Sequence, residues 1–263
     1  ETGHGLVTDV CLKRKIRNYV EAVEEGVPGY RIYIKDDVPL TQRDQEACAH
    51  FGIEDIKKIK KDNPDIDKKI RDFMCENFFD IRTFGAVMTT FVQGALNCGQ
   101  VRGPVQLCFG ESIDPVVPLE MSITRMAATE AKEDKDNKTM GRKQYVPYGL
   151  YRIEGFVSAS LAEKNGFCQA DLDLLWEALM NMFENDRSAA RGLMTSRELI
   201  VFKHESKFGN APAHRLFDLV CVDKVDPTDQ VAREFGDYTI TIDKEKLPQG
   251  VEVKTYDYIA PSV

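Results

Sequence analysis

The stretch Gly5-Leu6-Val7-Thr8-Asp9-Val10-Cys11-Leu12-Lys13-Arg14-Lys15-Ile16-Arg17 places four cations in five positions at the start of a helix, in an otherwise acidic chain. Leu12, Ile16, Tyr19, Val20 and Val23 recur at helical spacing and give the helix one apolar face. At roughly 100° per residue, Lys13, Arg14 and Arg17 fall on one polar arc, with Lys15 near the opposite edge of the apolar stripe. Thr8 is the expected N-cap and Asp9 suits the first turn. Free amides at a helix N-terminus beside Lys and Arg form an anion site. A solvated basic face with no ligand has the same pattern.

Working outward, 263 residues suffice for one elaborated domain or two small ones. With 43% hydrophobic and 30% charged residues, the composition is that of a soluble globular protein. No apolar run approaches the roughly 20 residues that span a bilayer, so no membrane partner and a cytoplasmic location are expected. No signal peptide is evident, and the first residues, Glu1 to Gly5, are polar and turn-like. The seven cysteines include no CxxC pair and sit mostly among apolar neighbours, as in Leu107-Cys108-Phe109 and Val220-Cys221-Val222. They read as reduced core residues, with no metal or other cofactor implied.

A net charge of −8 argues against a nucleic-acid partner, but the distribution reopens that class. Basic residues concentrate in Lys13–Arg17, in Lys57 to Arg71 and in the mixed run Lys132 to Lys143, while Asp218 to Asp237 is acidic. A basic face opposite an acidic one suits a polyanion.

Helices are expected at 41–50, at 54–61, from Pro64 through Phe78, and at 169–186, the last with Leu172, Leu175, Trp176, Leu179, Met182 and Phe183 on its core face. From Asp80 the pattern reads as β, with strands at 86–92, 103–107, 116–123, 151–159, 199–202, 216–222, 238–242 and 251–256 and a turn at 93–102. Residues 124–144 are polar and lack an apolar period, and excursions of that length are functional or disordered. This order of elements predicts an α+β fold with helices against a largely antiparallel sheet. Neither an internal repeat nor a low-complexity linker is present.

Walker A, GxGxxG, HExxH and GxSxG patterns are all missing. His204, Glu205 and His214 match no standard metal spacing. Asp80 and Arg82 read as an ion pair organising a strand start. Arg187 and Arg191 read equally as caps on helix carbonyls or as phosphate contacts.

Taken in order, the Gly5–Arg17 stretch, Asp80-Ile81-Arg82-Thr83-Phe84-Gly85, Arg102-Gly103-Pro104-Val105-Gln106, Tyr145–Arg152, Met182–Gly192 and Gly209-Asn210-Ala211-Pro212-Ala213-His214 resemble the RNA-binding backbone subunit of CRISPR surveillance complexes, in particular the subtype I-C Cascade version of the RAMP superfamily. The resemblance covers nearly the whole chain. It implies one domain over 1–263, with an RRM-like (ferredoxin-like) antiparallel palm, a helical fingers insertion at about 30–79 and a β-hairpin thumb at about 122–145. The family begins with a strand and a Gly/Asn/Asp-rich loop, neither of which is read here. The palm is therefore expected to lack its first strand, leaving an open edge, and the sequence to be truncated ahead of the helix.

The resemblance implies no catalysis. A guide crRNA is gripped without sequence specificity, kinked by a thumb and presented to a target DNA strand, with neighbouring copies and other Cascade subunits as partners. Such a grip should use phosphates and leave base edges free. Thr8, Lys13, Arg14 and Arg17 are the expected backbone contacts. Met126 and Met140 are the expected thumb wedge, with Arg142 as a cation beside them. Two alternatives stand: a metal-dependent ribonuclease of the same superfamily, and a self-associating scaffold binding an acidic protein.

Overall fold

The computed structural model of the chain describes residues 2–53, 63–89, 91, 96–126, 139–228 and 231–261. Strand β1 (His4–Val7) leads into helix α1 (Asp9–Val23), followed by α2 (Leu40–His50), α3 (Ile66–Asn77) and α4 (Phe79–Phe84). Then come β2 (Gly85–Val87), β3 (Gln100–Arg102), β4 (Val105–Leu107), β5 (Gly110–Pro115), β6 (Leu119–Arg125), β7 (Thr139–Tyr145), β8 (Tyr151–Arg152) and β9 (Gly155–Val157). Helices α5 (Ala159–Asn165) and α6 (Gln169–Asn181) precede β10 (Leu199–His204), α7 (Ala213–Phe217), β11 (Val220–Lys224), β12 (Tyr238–Ile242) and β13 (Val251–Tyr256). The fold is a mixture of helices and antiparallel strands, as the pattern predicts.

The central sheet runs β1-β5-β8, with Leu6 opposite Glu111 and Ser112 opposite Tyr151. The β4–β9 pair continues it: Cys108 N donates to Glu154 O at 2.8 Å, so 105–115 and 150–157 form one bent ribbon. A strand does precede the basic helix, and the expectation of a missing one is corrected. Residues 4–7 are too short and Gly-broken for a strand pattern, but they pair along β5. Gly5 N donates to Ser112 Oγ at 2.9 Å, and Val116 N to Gly3 O at 2.9 Å.

The first core joins α1 to α6 over this sheet. Leu12, Ile16, Tyr19 and Val20 meet Leu174, Leu175, Ala178, Met182 and Phe183, with Phe79, Phe84 and Val105 closing the cluster. Thr8 caps α1 by accepting from Cys11 N at 3.3 Å. A second core gathers Ile66, Ile70, Met74 and Phe78 with Ala47, Ile81, Phe91, Leu96 and Val101. A small third one, at Leu216, Leu219 and Val251, supports the C-terminal hairpins.

Several boundaries differ from the sequence pattern. Asp80–Phe84 is helical, and Gly85 ends that helix at φ +86°. A Cβ on Gly85 would lie 2.4 Å from Val101 O, so the turn and the crossing backbone both require glycine. Residues 100–102 form a strand, not a turn, and 213–217 a helix ahead of β11. The 116–123 strand begins only at Leu119, after Val116-Val117-Pro118, and runs on to Arg125, and α6 stops at Asn181, short of 186. The expected helix at 54–61 and the arm tip at 132–138 lie outside the described residues. No helix among the described residues is long and apolar enough to cross a membrane.

Candidate functional site

The five positions 13–17 do not form one free cationic arc. Arg17 is 7% exposed, and its Nε donates to Asp80 Oδ2 at 2.7 Å. Asp80 also accepts from Tyr33 N at 2.8 Å and Ile34 N at 3.1 Å, so α4 and the 33–34 segment close over that side of α1. The guanidinium lies 5.1 Å from the Phe84 ring centre. Arg17, expected as a phosphate contact, is thus buried and ion-paired inside the fold. Lys15 is likewise buried and bonds Asp186 Oδ2, which Arg191 also approaches at 3.8 Å.

Further buried polar pairs tie the same helices together. Arg82 makes a forked contact with Asp171, Nε to Oδ2 at 3.1 Å and Nη2 to Oδ1 at 2.6 Å. Asp171 in turn accepts from Cys168 N at 2.9 Å and caps α6. Tyr19 donates to Glu177 at 2.7 Å, and burial together with that carboxylate pushes its phenol well above the usual range. The predicted Asp80–Arg82 pair is thus two crossed pairs, each completed by a residue distant in sequence.

Of the four cations on α1, Lys13 and Arg14 keep some exposure. Lys13 Nζ lies 2.8 Å from Asp9 Oδ2, at 15% and 25% side-chain exposure, and that bond holds the Asp9 carboxyl below its usual range. Arg14 donates to Ile34 O at 2.8 Å and has no carboxylate partner among the described residues. Thr8, Asp9, Lys13 and Arg14 therefore share one helix end, where Arg14 keeps a net positive charge and Lys13 is available by exchange with Asp9.

The other expected residues lie on the β6–β7 hairpin. Leu119 pairs with Tyr145 and Arg125 with Thr139, and every β6 side chain is exposed. The register puts Met140 across from Thr124 and Arg142 across from Ser122, so they share one face. Met140 is 73% exposed, and the Arg142 side chain, 77% exposed, reaches Glu120 at 3.3 Å. Leu119, Met121 and Ile123 alternate onto the opposite face, an apolar stripe not evident from the polar composition of the arm. Met126 sits just past β6 and is also exposed.

Arg187 donates to Glu184 O at 3.2 Å and Gly192 O at 2.6 Å, carbonyls of the turns that follow α6 and not of the helix itself. His204 Nδ1 accepts from Asn210 N at 2.9 Å, and no cluster of three metal-ligating residues occurs among the described residues. Cys48, Cys75 and Cys98 are buried, but Cys108, Cys168 and Cys221 are exposed, which corrects the core reading of Cys108 and Cys221.

A sequence model of the family described as CRISPR-associated protein Cas7 matches residues 1–243. The CRISPR-associated protein Cas7 of Haloferax volcanii is 26% identical over 204 residues, covering 69% of this chain and 56% of that protein. The chain thus spans little more than half the length of that curated relative. A chain from a solved structure described as a CRISPR RNA-guided surveillance complex, pre-nicking, matches 76% of this chain and 70% of its own length, at 14% identity and a TM-score of 0.46.

Proposed function

The chain belongs to the CRISPR-associated protein Cas7 family, and from that premise we propose that it is a backbone subunit of a CRISPR surveillance complex, of the subtype I-C kind. In this reading it lies along a guide crRNA in the cytoplasm, in contact with further copies of itself and with other subunits. It leaves guide bases free to pair with a target DNA strand. The palm is the RRM-like body around the β1-β5-β8 sheet, the fingers are the insertion at about 30–79, and the thumb is the hairpin at about 122–145. Lys13 and Arg14, with the α1 end capped by Thr8, take guide phosphates. Arg17 serves by fixing α1 in place through Asp80.

The observation that carries the proposal is the β6–β7 hairpin. Two seven-residue strands pair only with each other among the described residues and expose β6 throughout. An isolated two-stranded hairpin is marginal in water. Its exposed Met126, Met140 and Arg142 suit an arm completed by what it lies against, a wedge between bases and a cation for phosphate. No bond-breaking step is assigned to this subunit. Asp80, one of the carboxylates against the basic helix, is engaged by Arg17 and two amides.

The test is guide binding by a Lys13→Ala/Arg14→Ala variant across several RNA sequences and salt concentrations. Affinity should fall to the same degree for every sequence. The salt slope should flatten by about 1.4, two contacts at roughly 0.7 each for single-stranded RNA. Wild-type affinity and slope in the variant would remove α1 from the interface.

A further inference from the structure

We propose that the turn between β10 and α7 is a second nucleic-acid contact, in which Phe208 stacks on an unpaired base of single-stranded RNA while Lys207 faces the adjoining phosphate. The inference rests on the reading of this chain as an RNA-holding subunit and adds to it a site distant in sequence from α1 and from the thumb. Phe208 is 82% exposed, well beyond what a core or boundary aromatic shows.

That exposure is built. Ser206 N donates to Asn210 Oδ1 at 2.9 Å, Phe208 N to Ser206 Oγ at 3.3 Å, and Gly209 N to Ser206 O at 2.9 Å. Asn210 N donates to His204 Nδ1 at 2.9 Å, and Glu205 N donates to Gly250 O at 3.0 Å, which fastens the turn to the start of β13. Gly209 adopts φ +87°, a conformation that glycine takes without strain. The polar side chains of Ser206, Asn210 and His204 are used inward, so the turn holds one shape with Phe208 at its tip.

The chemistry around the ring selects the occupant. The chain neighbours of Phe208, namely Glu205, Ser206, Lys207, Gly209 and Asn210, are all exposed, and the ring lines a broad cleft that also passes Glu163 and Lys203. A ring presented at a turn tip with a cation next to it in the chain matches the flat face of a base with its phosphate alongside. Lys207 Nζ lies 5.7 Å from the ring centre and 3.1 Å from Glu163, an exposed pair that a phosphate can replace. Stacking on an aromatic side chain tolerates any base, the property a subunit that ignores guide sequence requires. Such a contact engages the base face and leaves the pairing edge open.

The experiment compares wild type, Phe208→Ala and Phe208→Trp for binding to labelled oligoadenylate and to an abasic ribose-phosphate chain of equal length. Phe208→Ala should weaken oligoadenylate binding by roughly 5- to 150-fold, from the usual worth of one base–aromatic stack, with an unchanged salt slope. Phe208→Trp should restore binding, and the abasic chain should not distinguish the variants. Wild-type oligoadenylate affinity in Phe208→Ala overturns the inference. It is equally overturned if that variant retains RNA affinity but loses self-association of the RNA-free protein, which would assign the ring to a protein contact. Lys13→Ala/Arg14→Ala, measured on the same RNA, separates the two readings. Loss there with no loss in Phe208→Ala removes only the turn, and a wild-type protein that binds neither chain removes both.

Discussion

Arg17 distinguishes the helical-wheel reading of the basic segment from the tertiary one, and Arg17→Met tests it. The substitution keeps most of the side-chain stem and removes the charge. In the fold, Arg17 and Asp80 are 9% and 1% exposed at the side chain and 2.7 Å apart. Removing one partner of a buried pair costs about 3–5 kcal/mol, because the other charge is left without its counterion. Asp80 keeps two amide donors, from Tyr33 and Ile34, which places the loss near the lower end. For a chain of this size, about 3 kcal/mol lowers the thermal midpoint by roughly 6–12 °C. Asp80→Asn should cost a similar amount, since it strands the guanidinium. The double variant should lose less than the sum, as contacting residues do. Thermal or urea denaturation of the four proteins reads this directly, and guide binding measured well below the midpoint should keep its salt slope. A midpoint within about 1 °C of wild type, together with a salt slope flattened by about 0.7, would show that the Asp80 pair does not hold Arg17 and return it to the RNA face.

Two further predictions concern regions away from α1. Burial pushes the Asp114 carboxyl up, but the Tyr238 hydroxyl at 2.6 Å and the Lys224 ammonium at 3.1 Å outweigh it and leave the group below the ordinary carboxylate range. A depressed carboxylate contributes stability that is full above its unfolded value of about 3.9 and is lost as pH falls through the folded one. The urea midpoint should therefore drop more steeply below about pH 4 in wild type than in Asp114→Asn, and equal slopes would show that Asp114 does not anchor the β11–β12 hairpin. A thiol reagent should modify Cys108, Cys168 and Cys221 rapidly in the native protein, as mass mapping would report, while Cys48, Cys75 and Cys98 wait for unfolding. Burial raises the Cys75 thiol to about 11, which slows it further; early labelling of Cys75 would contradict its placement.

Elements whose signals are local were legible from residue spacing alone. The apolar period of α1, its Thr8 cap, the core stripe of α6, and strands β12 and β13 all follow from spacing along a few turns or residues. The mixed antiparallel class and the exposed arm followed from the order of those elements. Tertiary structure alone decided which cations are free. A helical wheel assumes one buried face, whereas α1 packs against α6 on one side and is closed by Asp80 and residues 33–34 on another, so Arg17 passes inside. The partner for Asp80 lies 63 residues away, a separation that no local pattern encodes. Strand alternation likewise turned Cys221 outward between two half-buried valines, because side chains reverse at every residue. Strand β1 was invisible because four residues gain strand structure only when β5 supplies the hydrogen bonds. The basic segment that opened the reading is thus a folding element on two of its cations, Lys15 and Arg17, and a candidate grip on the other two, because burial, not sequence position, assigns a charge to the core or to solvent.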